Sequence, residues 1–272
     1  HTEMFMALLV APGLDVNAAD RLGHTALMRA AHGGHTDRVT ALLAAPGLDV
    51  NAADRDGHTA LMLAAGRGLT EMVTAVLAAP GLNVNAANYD RWTALMLAVE
   101  GGHAETVTAL LAAPGVNVNA TDRNGWTALM RSANGGHAEM VTAVLAAPGL
   151  NVNATKYDGQ TALMLAVDGG HAETVTALLA YPGVAVKKTD RNRWTALMLA
   201  ADRGHTEMVT AMLGAPGLNV NEPDRRAGWT ALMLAAGRGH AETVTALLAA
   251  PGLGVNAENA HGWTALIRAA NR

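Results

Sequence analysis

Cysteine is absent from the 272 residues, which excludes disulfides and thiolate metal sites and leaves the redox compartment open. Aromatic side chains make up only 3% of the chain, and Phe5 is the single phenylalanine. A core without large rings must be thin, built from Ala, Leu, Val and Met, with the same contact made many times. No apolar run reaches the roughly 18 residues of a membrane helix, so membrane insertion is not expected. Charge of one sign is scarce too. There are 19 Lys and Arg against 23 Asp and Glu, a formal net charge of −4, and the basic footprint of a nucleic-acid binder is missing. His1-Thr2-Glu3 begins no signal peptide. An initiator Met is also lacking, which leads us to expect a piece of a longer chain.

What the sequence has in abundance is itself. The string Thr-Ala-Leu starts at Thr25, Thr59, Thr93, Thr127, Thr161, Thr195, Thr230 and Thr264, at intervals of 34 residues with a single interval of 35 before Thr230. The extra residue falls in Asp224-Arg225-Arg226-Ala227-Gly228, a connecting loop, where a repeat array tolerates insertion. Within one copy, Leu61, Ala64 and Ala65 recur at helical spacing, and so do Val73, Val76 and Leu77. Gly66 and Gly68 separate the two stripes, and Pro80-Gly81 ends the second, which predicts two short helices per copy. The Asn-, Asp- and Gly-rich stretch that follows predicts an extended turn. Neither helix is long enough to persist alone, so stability has to come from stacking copy on copy. Alternation of Met72, Thr106, Met140, Thr174, Met208 and Thr243 marks a pair of copies as the unit of duplication.

These residues carry a resemblance. The unit D-R-D-G-H-T-A-L-M-L-A-A, with Gly-His at the start of the second helix and Val-Asn-Ala in the turn, resembles the ankyrin repeat along the whole chain. The resemblance implies an all-α fold: a single ankyrin-repeat solenoid over 1–272, made of stacked antiparallel helix pairs with projecting turns. It also implies curvature, a concave groove lined by turns and first helices, and an intracellular setting. Departures from the family pattern are expected to matter locally. Met28, Met62, Met96, Met130, Met164, Met198 and Met233 stand where the family has a loop-tying His, which predicts looser loops. Arg91 and Arg193 occupy the turn's Gly position, which predicts altered or strained turns. Lys187 replaces a recurrent Asn, so the loop over 185–190 is expected to be the least regular.

Positions that vary between copies are the candidates for recognition. The residue before each Thr is His24, His58, Trp92, Trp126, Gln160, Trp194, Trp229 and Trp263, which gathers every tryptophan of the protein into one row. Family geometry places this row on the turn facing the groove, where Trp supplies large amphipathic contact area. On the first-helix face the charged candidates are Arg29, Glu100, Arg131, Asp168, Asp202 and Arg268. A protein or peptide partner is therefore expected. His1, His35, His103, His137, His171, His205 and His240 lie about one repeat apart, too far to share a metal ion, and are expected to be structural. No unique catalytic constellation stands outside the repeat, so neither an enzyme nor a cofactor or metal site is expected. The chain opens on a second helix and closes on a first helix without polar capping repeats. A segment of a longer array is the first expectation from that. The alternative is end-to-end stacking of copies through Met4, Phe5 and Ile267.

Overall fold

The computed structural model describes residues 2–271. Among these, α1 (Thr2–Leu9) precedes seven helix pairs. The pairs are α2 (Ala26–Gly33) with α3 (Thr36–Leu43), α4 (Ala60–Ala65) with α5 (Thr70–Leu77), α6 (Ala94–Glu100) with α7 (Ala104–Leu111), and α8 (Ala128–Asn134) with α9 (Ala138–Leu145). They continue with α10 (Ala162–Asp168) and α11 (Ala172–Ala180), α12 (Ala196–Arg203) and α13 (Thr206–Leu213), and α14 (Ala231–Arg238) and α15 (Ala241–Leu248), before a last first helix, α16 (Ala265–Ala270). The chain forms two compact units, one ending at Arg123 and including Ala146–Gly149, the other made of Asn124–Leu145 and everything from Leu150. In the first unit α2, α4 and α6 pack as one layer against a layer of α1, α3, α5 and α7. In the second, α8, α10, α12, α14 and α16 pack against α9, α11, α13 and α15.

Each first helix begins where its Thr can cap it. Thr25, Thr59, Thr93, Thr127, Thr161, Thr195, Thr230 and Thr264 are extended, and each Oγ1 accepts the backbone N–H three residues on at 3.2–3.4 Å. Such a cap contributes about 1 kcal/mol, a large share for helices of only 6 to 8 residues. The glycine ahead of the second helix has a steric reason as well as a conformational one. Gly68 lies at φ 68°, and a Cβ there would come within 2.4 Å of the imidazole of His103 in the next copy. That imidazole sits 3.2 Å from the carbonyl of Gly66, as His171 does from Asn134 at 2.9 Å and His240 from Asp202 at 3.0 Å. His103, His171 and His240 thus tie their second helices to the first helix of the preceding copy, in keeping with a structural role; His1 lies outside the described residues.

The seven Met residues are buried to 1% exposure each. Their apolar ladder does not leave the loops untied, because two other ladders hold them. Loop tips bond backbone to backbone, Arg55 N–H to Leu22 O at 3.0 Å and Tyr89 N–H to Asp56 O at 3.1 Å in the first unit, Arg191 N–H to Asp158 O and Arg225 N–H to Asn192 O at 2.9 Å in the second. The recurrent Asn forms the other. Asn51 Nδ2 donates to Gly81 O at 2.8 Å while its Oδ1 accepts from Asn83 N–H at 2.7 Å, and Asn17, Asn85, Asn153 and Asn221 repeat both bonds.

Both arginine turns keep the glycine conformation. Arg91 and Arg193 sit at φ 64° and 61°, closing the turn with bonds of 2.8 and 3.0 Å, as Gly57 does at 3.0 Å. The turn is strained rather than altered, at about 1–2 kcal/mol for a left-handed non-glycine residue. At Lys187 the irregularity lies elsewhere than in the loop. Thr189 pairs with Thr195 by the same antiparallel bridge as Ala53 with Thr59, and Val186 stays buried. What disappears is the rung to the next copy, since a Lys side chain cannot accept from Asn219 N–H.

Candidate partner-binding face

The turn before each first helix positions the row. A side-chain oxygen of Asp or Asn four residues upstream accepts the N–H of the row residue: Asp20 for His24 at 3.0 Å, Asp54 for His58 at 2.8 Å, Asn88 for Trp92 at 2.8 Å, Asp190 for Trp194 at 2.8 Å and Asn259 for Trp263 at 2.9 Å. In the lengthened loop Asp224 absorbs the insertion by accepting from Ala227, Gly228 and Trp229 together, at 3.1, 2.9 and 3.0 Å. Gln160 departs from the pattern. Lys156 takes the upstream position, and Asp158 accepts the Gln160 N–H at 3.1 Å. All eight row residues are half-buried, so each presents part of its side chain to solvent.

The histidine end of the row is a chain of polar contacts. His24 lies 3.4 Å from Asp20 and 3.5 Å from Asp54, and Asp54 also lies 3.5 Å from His58 Nδ1. The Asn88 amide donates to His58 Nε2 at 3.1 Å, which places the neutral ring's proton on Nδ1, toward Asp54. Asp54, Asp56 and His58 are close enough together to be considered as metal ligands. However, Asp54 Oδ1 already accepts two backbone N–H groups of its own turn, and the group reads as a turn cap.

The tryptophan end is a set of rings overlaid by cations. Arg131 and Lys156 approach the Trp126 ring at 5.7 and 5.4 Å. Arg268 stacks over Trp229 at 4.2 Å, and Trp229 meets Trp263 edge to face with centroids 6.3 Å apart. Gly237 makes room for the stack, because a Cβ there would lie 2.2 Å from Arg268 Nε.

Of the remaining first-helix candidates, Arg29 is exposed and held by Asp20 at 2.5 Å, and that guanidinium keeps the Asp20 carboxyl far below the usual carboxylate range. Glu100 is exposed at the end of α6. Asp168 and Asp202 are engaged by arginines of the next copy, Arg203 at 2.6 Å and Arg238 at 2.8 Å. These rungs escaped the reading of single copies, since only the stacking offset brings the end of one first helix to the next. Met4 is 61% exposed on α1, and Arg38 lies over Phe5 at 5.8 Å. Ile267 is 46% exposed, but an apolar cavity of about 560 Å³ on the same helix is lined by Leu266, with Leu232, Val244 and Leu248. Leu266 was missed although its counterparts Leu61 and Leu95 show that the Leu after Thr-Ala faces the stack.

The fold and the ladders define a tandem-repeat protein whose elements stabilise one another by stacking. The sequence matches the family model for ankyrin repeats (three copies) over residues 1–88, 77–156, 148–224 and 214–272, and the chain belongs to the ankyrin repeat family. Among solved structures it is similar to the ankyrin repeat domain of Bcl-3, described as a unique member of the IkappaB protein family. The identity is 30%, the TM-score 0.69, and the match covers 78% of this chain and 91% of that one. No curated protein sequence matches this one. Ankyrin repeat domains in general mediate protein–protein interaction, and no helix among the described residues is long and apolar enough to cross a membrane.

Proposed function

We propose that the protein is a non-catalytic scaffold that binds a protein or peptide partner along the turn row and the adjoining first-helix face, which family geometry makes the concave side of the array. The observation that supports this most is the row itself: every tryptophan at one position of the repeat and half-open to solvent, Trp92, Trp194, Trp229 and Trp263 pinned through their backbone N–H groups, with cations over two of the rings. Interfaces concentrate their energy in such aromatic and arginine anchors. Neither the row nor the helix face holds a nucleophile and base of matched geometry, and no cofactor is invoked. Trp126→Ala with Trp194→Ala is expected to abolish binding of peptides selected against the wild-type protein from a random display library, with helicity and melting nearly unchanged. Retained binding, or loss of the fold, would remove the row from the interface.

A second reading is end-to-end association of copies through Met4, Phe5 and Ile267. The apolar cavity beside α16, with Leu266 79% exposed, and the exposed Met4 and Leu8 of α1 favour it. It expects a light-scattering mass that rises with concentration, and a constant 27.9 kDa would reject it.

A further inference from the structure

We propose that the loop tips of two consecutive copies in the second unit, 187–194 and 222–229, form a docking site for a short acidic peptide segment of a partner protein. This rests on the partner-binding reading above and assigns the partner's chemistry.

The observation behind it is a clustering of exceptions. Lys187 stands where seven copies have Asn, Lys188 where most have Ala, Arg193 where six have Gly, and the array's one insertion lengthens a loop to carry Arg225 beside Arg226. Each of these exceptions adds a cation within two neighbouring loops, whereas no other loop gains more than one, Arg91 in one and Lys156 in another. Two of them are costly in place, because Lys187 removes the Asn rung and Arg193 holds a left-handed conformation at φ 61°. Residues kept in unfavourable conformations concentrate at functional sites. The protein as a whole is acidic, so the local excess is not a by-product of composition.

The geometry makes the cations one surface. Arg225 N–H bonds Asn192 O at 2.9 Å, which sets the tip bearing Arg191 and Arg193 directly beside the tip bearing Arg225 and Arg226. Lys187, Arg191, Arg225 and Arg226 are exposed, with no ion pair among the described residues. Arg193 reaches Glu222 at 2.5 Å, the one added anion in the patch, and Lys188 Nζ donates to Asn153 O at 3.0 Å. Asp190 and Asp224 each turn an oxygen to backbone N–H groups of their own loops. Trp194 follows Arg193 directly and adds a half-open ring. Guanidinium groups bind carboxylates in a fork geometry, so side-chain carboxylates flanking one apolar residue match this arrangement. A peptide fits better than nucleic acid, which calls for an extended basic stripe. The basic surface here spans two loops, and residues 1–123 of the same chain carry twelve Asp and Glu against seven Lys and Arg.

The test uses a fluorescein-labelled peptide of alternating Glu and Gly around a central Phe, and an oligothymidylate of equal charge, read by anisotropy on the full chain. Lys187→Asn and Arg193→Gly restore the residues of the repeating pattern, so they should raise the melting temperature while weakening the peptide about tenfold, the loss of one charge-assisted contact. The triple variant Arg191→Gln, Arg225→Gln, Arg226→Gln should abolish binding, and Arg21→Gln should leave it unchanged. Unaltered peptide affinity in the two restoring variants would overturn the proposal, as would tighter binding of oligothymidylate than of peptide. If Trp126→Ala with Trp194→Ala abolishes binding and the arginine variants do not, the row reading stands and this site falls. The converse keeps the site and removes the tryptophans.

Discussion

Thr174 has a side-chain hydroxyl at 0% exposure with no hydrogen-bond partner among the described residues. Its two counterparts are satisfied. Thr106 shares a 2.8 Å bond with Thr70, and Thr243 shares one with Thr206. The residue that would serve Thr174 is Ala138, at the first position of α9. A buried hydroxyl without a partner costs about 1–3 kcal/mol relative to one that has it. Ala138→Thr is therefore expected to raise stability by about 1 kcal/mol, after the side-chain entropy of the new Thr is subtracted. An unchanged urea midpoint would show that α9 and α11 do not bring the two hydroxyls together. The periodicity of Thr106, Thr174 and Thr243 was visible from the sequence. The orphaned hydroxyl was not, because its partner belongs to the preceding copy at another position of the repeat.

At the scale of the element, the junction of first and second helix carries a titratable group. His205 opens α13, and burial first, then the neighbouring Arg203 and His240, press its pKa below the ordinary histidine value of 6.5, while Asp168 works against them. A histidine depressed in the folded state favours folding in its neutral form. That contribution is present above pH 6.5 and is lost as pH falls through the folded pKa. The melting temperature of the wild-type protein should accordingly drop more than that of His205→Gln as pH falls below about 6.5. Parallel pH profiles would contradict the assignment. Helix boundaries were legible because Thr caps, glycine pairs and Pro-Gly stops act locally. The rungs Asp168–Arg203 and Asp202–Arg238 were not, because spacing within a copy says nothing of what the next copy sets beside it. The stack of Arg268 on Trp229 escaped notice for the same reason.

For the whole molecule, the repeat period alone was enough to define the architecture, since an array of short amphipathic helices has few other ways to hide its apolar stripes. The function was legible only as a class. The row of tryptophans was legible, but the cations that Lys156 sets over Trp126 and Arg268 over Trp229 were not, because each belongs to the following copy. In such an array stability is the sum of copies and the seams between them, and unequal seams blur all-or-none melting. The seam under Lys187 lacks both bonds of its Asn rung, leaving Asn219 N–H without the acceptor that Ala185 N–H finds in Asn153 and Gly254 N–H in Asn221. Hydrogen exchange should be faster at Asn219 than at Ala185 or Gly254, and Lys187→Asn should slow it. Equal rates would mean that the other ties carry the seam. A stack pulled from its ends parts at its weakest joint, so that joint sets how far a stretch of the second unit could be drawn out before its neighbours yield. Without its rung, the seam under Lys187 meets such a load through the Asp202–Arg238 pair and the Thr206–Thr243 bond.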